Sequence, residues 1–181
     1  MQRDKNSAEN VVRSYVRYLK LERNYSRNTI DAYVHDLEYL LRFCAGEGRE
    51  VESLELADLQ RFALSVHEYG VGASSQARIL SGVRSFYRYL LLDGRITDDP
   101  SELLESPQLG VHLPEVLTTD EVDALEASID LSKPEGHRNR AIIEVLFSCG
   151  LRVSELVGLR LSNLFLDDRF VRVTGKGSKE R

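Results

Sequence analysis

The chain has 181 residues, with 24 Lys and Arg against 29 Asp and Glu, and a formal net charge of −5. Hydrophobic residues at 42% and charged residues at 29% are ordinary globular usage, which excludes a disordered chain, and the length suffices to bury a core without covalent staples. Two cysteines far apart (Cys44 and Cys149) and four scattered histidines exclude a disulfide framework and a metal-ligand motif, and a polar start with no long apolar run points to a soluble protein of the reducing cytoplasm.

Four amphipathic helices are predicted in the first part of the chain. Val12, Tyr15, Val16 and Leu19 make one apolar stripe. Ile30, Tyr33, Val34, Leu37, Leu40, Leu41 and Cys44 make a second, with Ser26 as N-cap and Gly46 or Gly48 as the stop. Leu59, Phe62, Ala63 and Val66 form a third that ends at Gly70. The fourth begins at Ser74 or Ser75, carries Ile79, Val83, Phe86 and Leu90, and ends at Asp93-Gly94. Short joins between such helices imply a bundle. Pro100, Pro107 and Pro114 then fall in a stretch with little periodicity, which places a linker at residues 96–115.

Beyond the linker, Thr118 and Glu121 have capping-box spacing ahead of Val122, Leu125 and Ile129. Residues 141–149 are apolar nearly all round and predict a buried helix stopped by Gly150, followed by a short helix from about Arg152 to Val157. After an Asp167-Asp168 turn the period switches to two over Phe170–Thr174, a strand. Gly175-Lys176-Gly177-Ser178 reads as a hairpin turn, and Lys179-Glu180-Arg181 as the returning strand.

Charge is segregated along the chain. Val11 to Ile30 holds five basic residues (Arg13, Arg17, Lys20, Arg23, Arg27) against Glu22 alone, and Gly70 to Leu92 holds Arg78, Arg84 and Arg88 with no acid. On the fourth helix, Arg78, Ser81, Arg84, Ser85 and Arg88 oppose the apolar stripe. Guanidinium forks and hydroxyls both donate to phosphate oxygens, and a solvated helix face usually mixes signs; an ordinary solvated face remains the alternative. Arg27-Asn28-Thr29 opens the second helix, where free N–H groups attract an anion, although capping alone also explains Thr29. Arg152 follows Gly150 at the mouth of a helix with Glu155 three positions on, in a spacing that also suits a purely structural ion pair. Lys176 sits on a glycine-flanked turn, where a solvated lysine is equally ordinary. A Walker loop is excluded, because Gly177 follows Lys176 where Ser or Thr is required.

Taken together, residues 139–181 closely resemble the tyrosine site-specific recombinases (the phage integrase family), of the bacterial Xer type. The carrying motifs are Gly150-Leu-Arg-Val-Ser-Glu-Leu156 and Gly175-Lys-Gly-Ser-Lys-Glu-Arg181, with 24 positions from Arg152 to Lys176. Residues 25–37 and 74–90 are similar to that family's core-binding helices, and 98–101 and 113–117 to its interdomain connection. The resemblance implies a mainly α fold: an amino-terminal four-helix core-binding (SAM-like) bundle at 1–95, the linker at 96–115, and the first helices and a small β-hairpin of an α+β catalytic domain at 116–181, cut short.

It also implies a chemistry. A tyrosine attacks a DNA phosphodiester, forming a 3′-phosphotyrosyl link and releasing a 5′-hydroxyl, with no cofactor and no metal. Arg152 matches the arginine that holds the non-bridging oxygens, Lys176 the lysine that protonates the departing 5′-oxygen, and Glu155 an acid that supports Arg152. Lys20, Arg27, Asn28, Thr29, Arg78, Arg84 and Arg88 are the expected contacts to duplex DNA. Other recombinase protomers are the expected protein partners, and no membrane is expected. The family's His-x-x-Arg motif and its nucleophilic tyrosine are expected after position 181, since the last histidine is His137 and the last tyrosine Tyr89. A non-catalytic DNA-binding module of the same fold and a helical interaction scaffold are the alternative readings.

Overall fold

The computed structural model describes residues 2–110, 113–175 and 179–181, with side chains from residue 9 onward. The chain divides into two units, Met1–Val111 and His112–Arg181.

Unit one is built on four helices: α1 (Gln2–Leu21), α2 (Arg27–Glu47), α3 (Leu56–Glu68) and α4 (Ala73–Leu92), with a short 3-10 turn at Val51–Ser53. Ser26 caps α2 by accepting from the Thr29 N–H at 3.3 Å. The helix runs through Gly46 and closes at Gly48, whose N–H bonds the Cys44 carbonyl. α4 begins one turn-residue ahead of the expected serines, with Gly72 as its N-cap. The seam of α1 that faces the core is Val11, Tyr15 and Leu19; Val12 and Val16, expected on that stripe, are only half-buried because the apolar arc is centred one residue earlier.

α2 packs along α4, and Leu37, Leu40, Ile79, Val83, Phe86 and Leu90 are essentially closed to solvent. Each such side chain contributes about 1.5–3 kcal/mol on burial. Tyr15 fills the end of this core, edge-on to Phe86 at 5.3 Å, and its hydroxyl donates to Ser85 Oγ at 2.8 Å. The buried Tyr87 hydroxyl donates to the Val51 carbonyl at 2.9 Å, so the two deepest phenols are both satisfied. One close approach governs the α2–α4 spacing. Gly82 lies on the buried stripe of α4, and a Cβ there would stand 2.9 Å from Asp36 Cβ.

The chain after α4 does not leave the bundle at once. Ser101 and Leu104 are buried, and Ile96 packs on the core. Arg84 holds this return: its guanidinium donates to the Leu104 carbonyl and, at 3.0–3.1 Å, to Ser106 Oγ.

Unit two contains α5 (Thr119–Ala127), α6 (Gly136–Cys149) and α7 (Val153–Val157), a 3-10 turn at Leu161–Asn163, and strands β1 (Leu164–Phe165) and β2 (Phe170–Val171). The Thr118–Glu121 capping box is formed in both directions. β1 and β2 pair antiparallel, Leu164 with Val171 and Phe165 with Phe170, whose rings stack at 4.4 Å. The expected strand over 170–174 therefore finds its first partner upstream, a pairing the short 164–165 run did not announce. Its second half turns to the returning arm, where Val173 and Arg181 exchange both backbone bonds at 3.0 Å.

The expectation of a buried helix at 141–149 fails. Ile142 and Phe147 are 36% and 49% exposed, and Cys149 is exposed. A helix apolar all round needs neighbours on every side, and the main packing of α6 is against α5 and α7. No described helix is long and apolar enough to cross a membrane.

Candidate functional site

Gly150 closes α6 at φ 58°, in the left-handed region that favours glycine, and swings the chain so that Arg152 stands at the N-terminus of α7. Glu155, one turn into α7, is the centre of the arrangement. Its side chain is 3% exposed and three donors meet it. Oε2 accepts the Arg152 backbone N–H at 2.8 Å and Arg181 Nη2 at 2.8 Å, while Oε1 accepts Arg152 Nη1 at 2.9 Å. The Arg152 side chain remains 64% exposed, so one edge of the guanidinium is pinned and the rest faces solvent. A held but open fork is suited to the non-bridging oxygens of a phosphodiester.

The hairpin comes to the same place. A Cβ on Gly175 would lie 3.1 Å from Glu155 Oε1 and 3.9 Å from Arg152 Nη1, so the backbone at Gly175 rests on the Arg152–Glu155 pair. The Gly175 N–H donates to the Lys179 carbonyl at 2.7 Å. Lys176 itself lies outside the described residues.

Backbone bonding at Arg152, with the two guanidinium partners, holds the Glu155 carboxyl below its ordinary range against the opposing effect of burial. A carboxyl lowered in the folded state stabilises fully above its ordinary range, and that stabilisation is lost as pH falls through and below it. Acid titration followed by amide exchange is therefore expected to deprotect the Gly175 and Arg181 amides early, before the helices of unit one open. Glu155→Gln should show the same deprotection already at neutral pH.

On unit one the structure separates the expected DNA contacts into two groups. Lys20, Arg27, Asn28 and Arg88 are exposed. Arg27 has only a loose approach to Asp31 at 3.8 Å, and Arg88 has no ion pair among the described residues. Thr29 is half-buried and takes part in the α2 cap, its Oγ1 2.8 Å from Ser26 Oγ. Arg78 and Arg84 are already engaged. Arg78 pairs with the buried Asp36 at 2.5 Å, Arg84 holds Leu104 and Ser106, and Ser85 accepts from Tyr15. The acid-free face of α4 thus finds its partners on α2 and on the returning chain, which spacing along one helix does not reveal. Conversely, Arg13 and Arg17 are exposed at i, i+4 and i+7 spacing with Lys20, one basic face of α1 that the local charge count noted without assigning.

The family model for the phage integrase N-terminal SAM-like domain matches residues 12–94, and that for the phage integrase family matches residues 115–181. A tyrosine recombinase XerD of Pseudomonas aeruginosa is 46% identical over 164 residues, covering 90% of this chain and 55% of the relative. A tyrosine recombinase XerC of Xanthomonas campestris is 40% identical over 172 residues, covering 94% of this chain and 53% of the relative. The chain thus spans a little over half the length of these curated relatives. Among solved structures, a lambda integrase tetramer bound to a Holliday junction superposes with a TM-score of 0.75 at 18% identity, over 96% of this chain and 49% of that one. The integrase of transposon Tn1549 in complex with circular intermediate DNA gives 0.66 at 19%, over 94% and 55%. Identities of this order establish a shared fold.

Proposed function

The chain belongs to the phage integrase family of tyrosine recombinases, and on that premise we propose that it is the DNA-grasping bundle and the first part of the catalytic unit of an enzyme that cuts and rejoins duplex DNA. The observation that carries the reading is the open Arg152 fork held by buried Glu155, with the Gly175 backbone lying against the same pair. In the reaction, a tyrosine oxygen attacks phosphorus, the P–O5′ bond breaks, and the departing 5′-oxygen takes a proton. Arg152 offsets the charge on the non-bridging oxygens, and Lys176 gives the proton. Unit one grips the duplex through Arg13, Arg17, Lys20, Arg27, Asn28 and Arg88, while Arg78, Arg84 and Thr29 hold the elements that present them. The site of action is the cytoplasm, with duplex DNA and other recombinase protomers as partners.

Binding to a recombination half-site is expected to weaken steeply with salt, because each neutralised phosphate releases counterions. Arg88→Ala should flatten the log–log salt slope by about 0.9 for its one phosphate. Arg84→Ala should leave the slope nearly unchanged and instead lower the melting temperature of the bundle. A helical interaction scaffold would show no salt-dependent duplex binding by the folded chain. The 181-residue chain alone is expected to form no covalent adduct with a nicked half-site.

A further inference from the structure

A buried carboxylate on α2 sits directly behind the acid-free face of α4. Asp36 is 3% exposed, and among the described residues its Oδ1 has no hydrogen-bond partner beyond the ion pair with Arg78 Nη1 at 2.5 Å. Gly82, one turn beyond Arg78 on α4, leaves the slot that Asp36 occupies: a Cβ there would stand 2.9 Å from Asp36 Cβ and 3.0 Å from Oδ2. The aspartate is therefore wedged against α4 at Gly82, and its carboxylate meets the residue one turn earlier. The Arg78 side chain is nevertheless 48% exposed, on the face of α4 that also carries the exposed Ser81 and Arg88.

We propose that Asp36 is a positioning residue for the duplex: it fixes the Arg78 guanidinium so that the outer edge of the fork takes one particular phosphate and sets the register of unit one on DNA. This rests on the duplex-gripping reading above. The energetics favour a geometric role. A buried ion pair adds little to stability, because desolvating two charges offsets most of their attraction, and apolar residues of similar volume hold a core as well. What the pair supplies is a guanidinium in one place. Arg27 and Arg88 stand exposed on the surface and can follow whichever phosphate is near, which gives affinity without register. A fork pinned on a carboxylate that cannot move accepts a phosphate in one orientation only. Arg78 thus holds α2 with one nitrogen and keeps an open edge for DNA, as Arg152 does on Glu155.

Neutralising phosphates one at a time separates a fixed contact from a merely structural pair. The 181-residue chain selects a duplex from a random-sequence pool, and each phosphate of that duplex is replaced in turn by an uncharged methylphosphonate. One position is expected to weaken binding of the unsubstituted chain by about tenfold, the loss of one charged hydrogen-bonded contact. In a chain carrying Arg78→Ala with Asp36→Asn, which strands no buried charge, the same position should matter by less than about twofold, the limit within which unconnected changes add. Asp36→Asn alone is the deciding variant. It keeps the Cβ and the volume, so the helices stay packed, and it removes an acid from the DNA face, so a random duplex should bind at least as tightly as before. The single-phosphate effect should nevertheless shrink severalfold. Arg78→Lys, which keeps the charge and gives up the fork, should shrink it likewise, and it carries the decision if Asp36→Asn does not fold. An effect undiminished in either variant overturns the proposal, as does the lack of any phosphate that tells the Arg78→Ala chain from the unsubstituted one. If the unsubstituted chain enriches no duplex from the pool, it is the duplex-gripping reading that fails.

Discussion

Arg152→Ala is expected to lower the rate of covalent attachment to a half-site by about 10³-fold, measured in the recombinase chain that carries the tyrosine, while duplex affinity changes less than about tenfold. Removing one preorganised donor from a developing oxyanion costs about 10²–10³ in rate, and Arg152 can present two. The size of the effect follows from how the guanidinium is held. One nitrogen is fixed on Glu155 at 2.9 Å and the side chain is 64% open, so the fork waits in place without being consumed by the protein. The fold should survive the change, because Glu155 keeps the Arg181 guanidinium and the backbone N–H of residue 152. Arg152→Lys should retain charge and lose the fork, leaving a rate between the two. A variant that attaches at the unsubstituted rate would show that the phosphate is held elsewhere.

Local signals were readable wherever the partner lies within a few residues. Ser26 and Thr118 cap their helices, Gly150 ends α6, and the switch from period 3.6 to period 2 marks the hairpin. Arg152 and Glu155 are likewise one turn apart, so their pairing was visible as spacing. What escaped was everything joined across the fold. Arg78 finds Asp36, Arg84 finds Leu104 and Ser106, and Arg181 finds Glu155 and Gly150, at separations no helical or strand period encodes. The α6 expectation failed for a related reason: an apolar periphery announces a demand for neighbours and says nothing about whether they are present. Some long-range contacts did leave a mark. Asp36 interrupts the run next to Leu37, and Gly82 sits at i+3 from Ile79 and i−4 from Phe86, squarely on the core stripe. A glycine there signals a close backbone approach, and a carboxylate beside core positions signals a buried partner.

Gly82→Val is expected to be strongly destabilising, lowering the stability of unit one by more than about 3 kcal/mol, a size of loss that overpacking a core and stranding a buried charge together can produce. Both happen at this position. The new Cβ alone would stand 2.9 Å from Asp36 Cβ and 3.0 Å from Oδ2, closer than such carbons come, and Asp36 cannot swing aside because its carboxylate is buried and paired with Arg78. Burial already raises the Asp36 carboxyl above its ordinary range, with Arg78 opposing, so any displacement that lengthens the pair leaves a charge in an apolar setting. The relief must come from α2 and α4 moving apart, which opens the contacts of Leu37, Leu40, Val83 and Phe86 together. Gly82→Ala should cost less, by a factor of about two to three, since a methyl adds one atom to the conflict instead of three. Combining Gly82→Ala with Asp36→Ala should not restore stability, because the 2.9 Å contact is with the aspartate Cβ, which alanine keeps, and Arg78 loses its partner; Asp36→Gly alone removes that atom. Thermal melts of these variants decide it, and a Gly82→Val chain that melts with the unsubstituted protein would mean the helix spacing is set elsewhere.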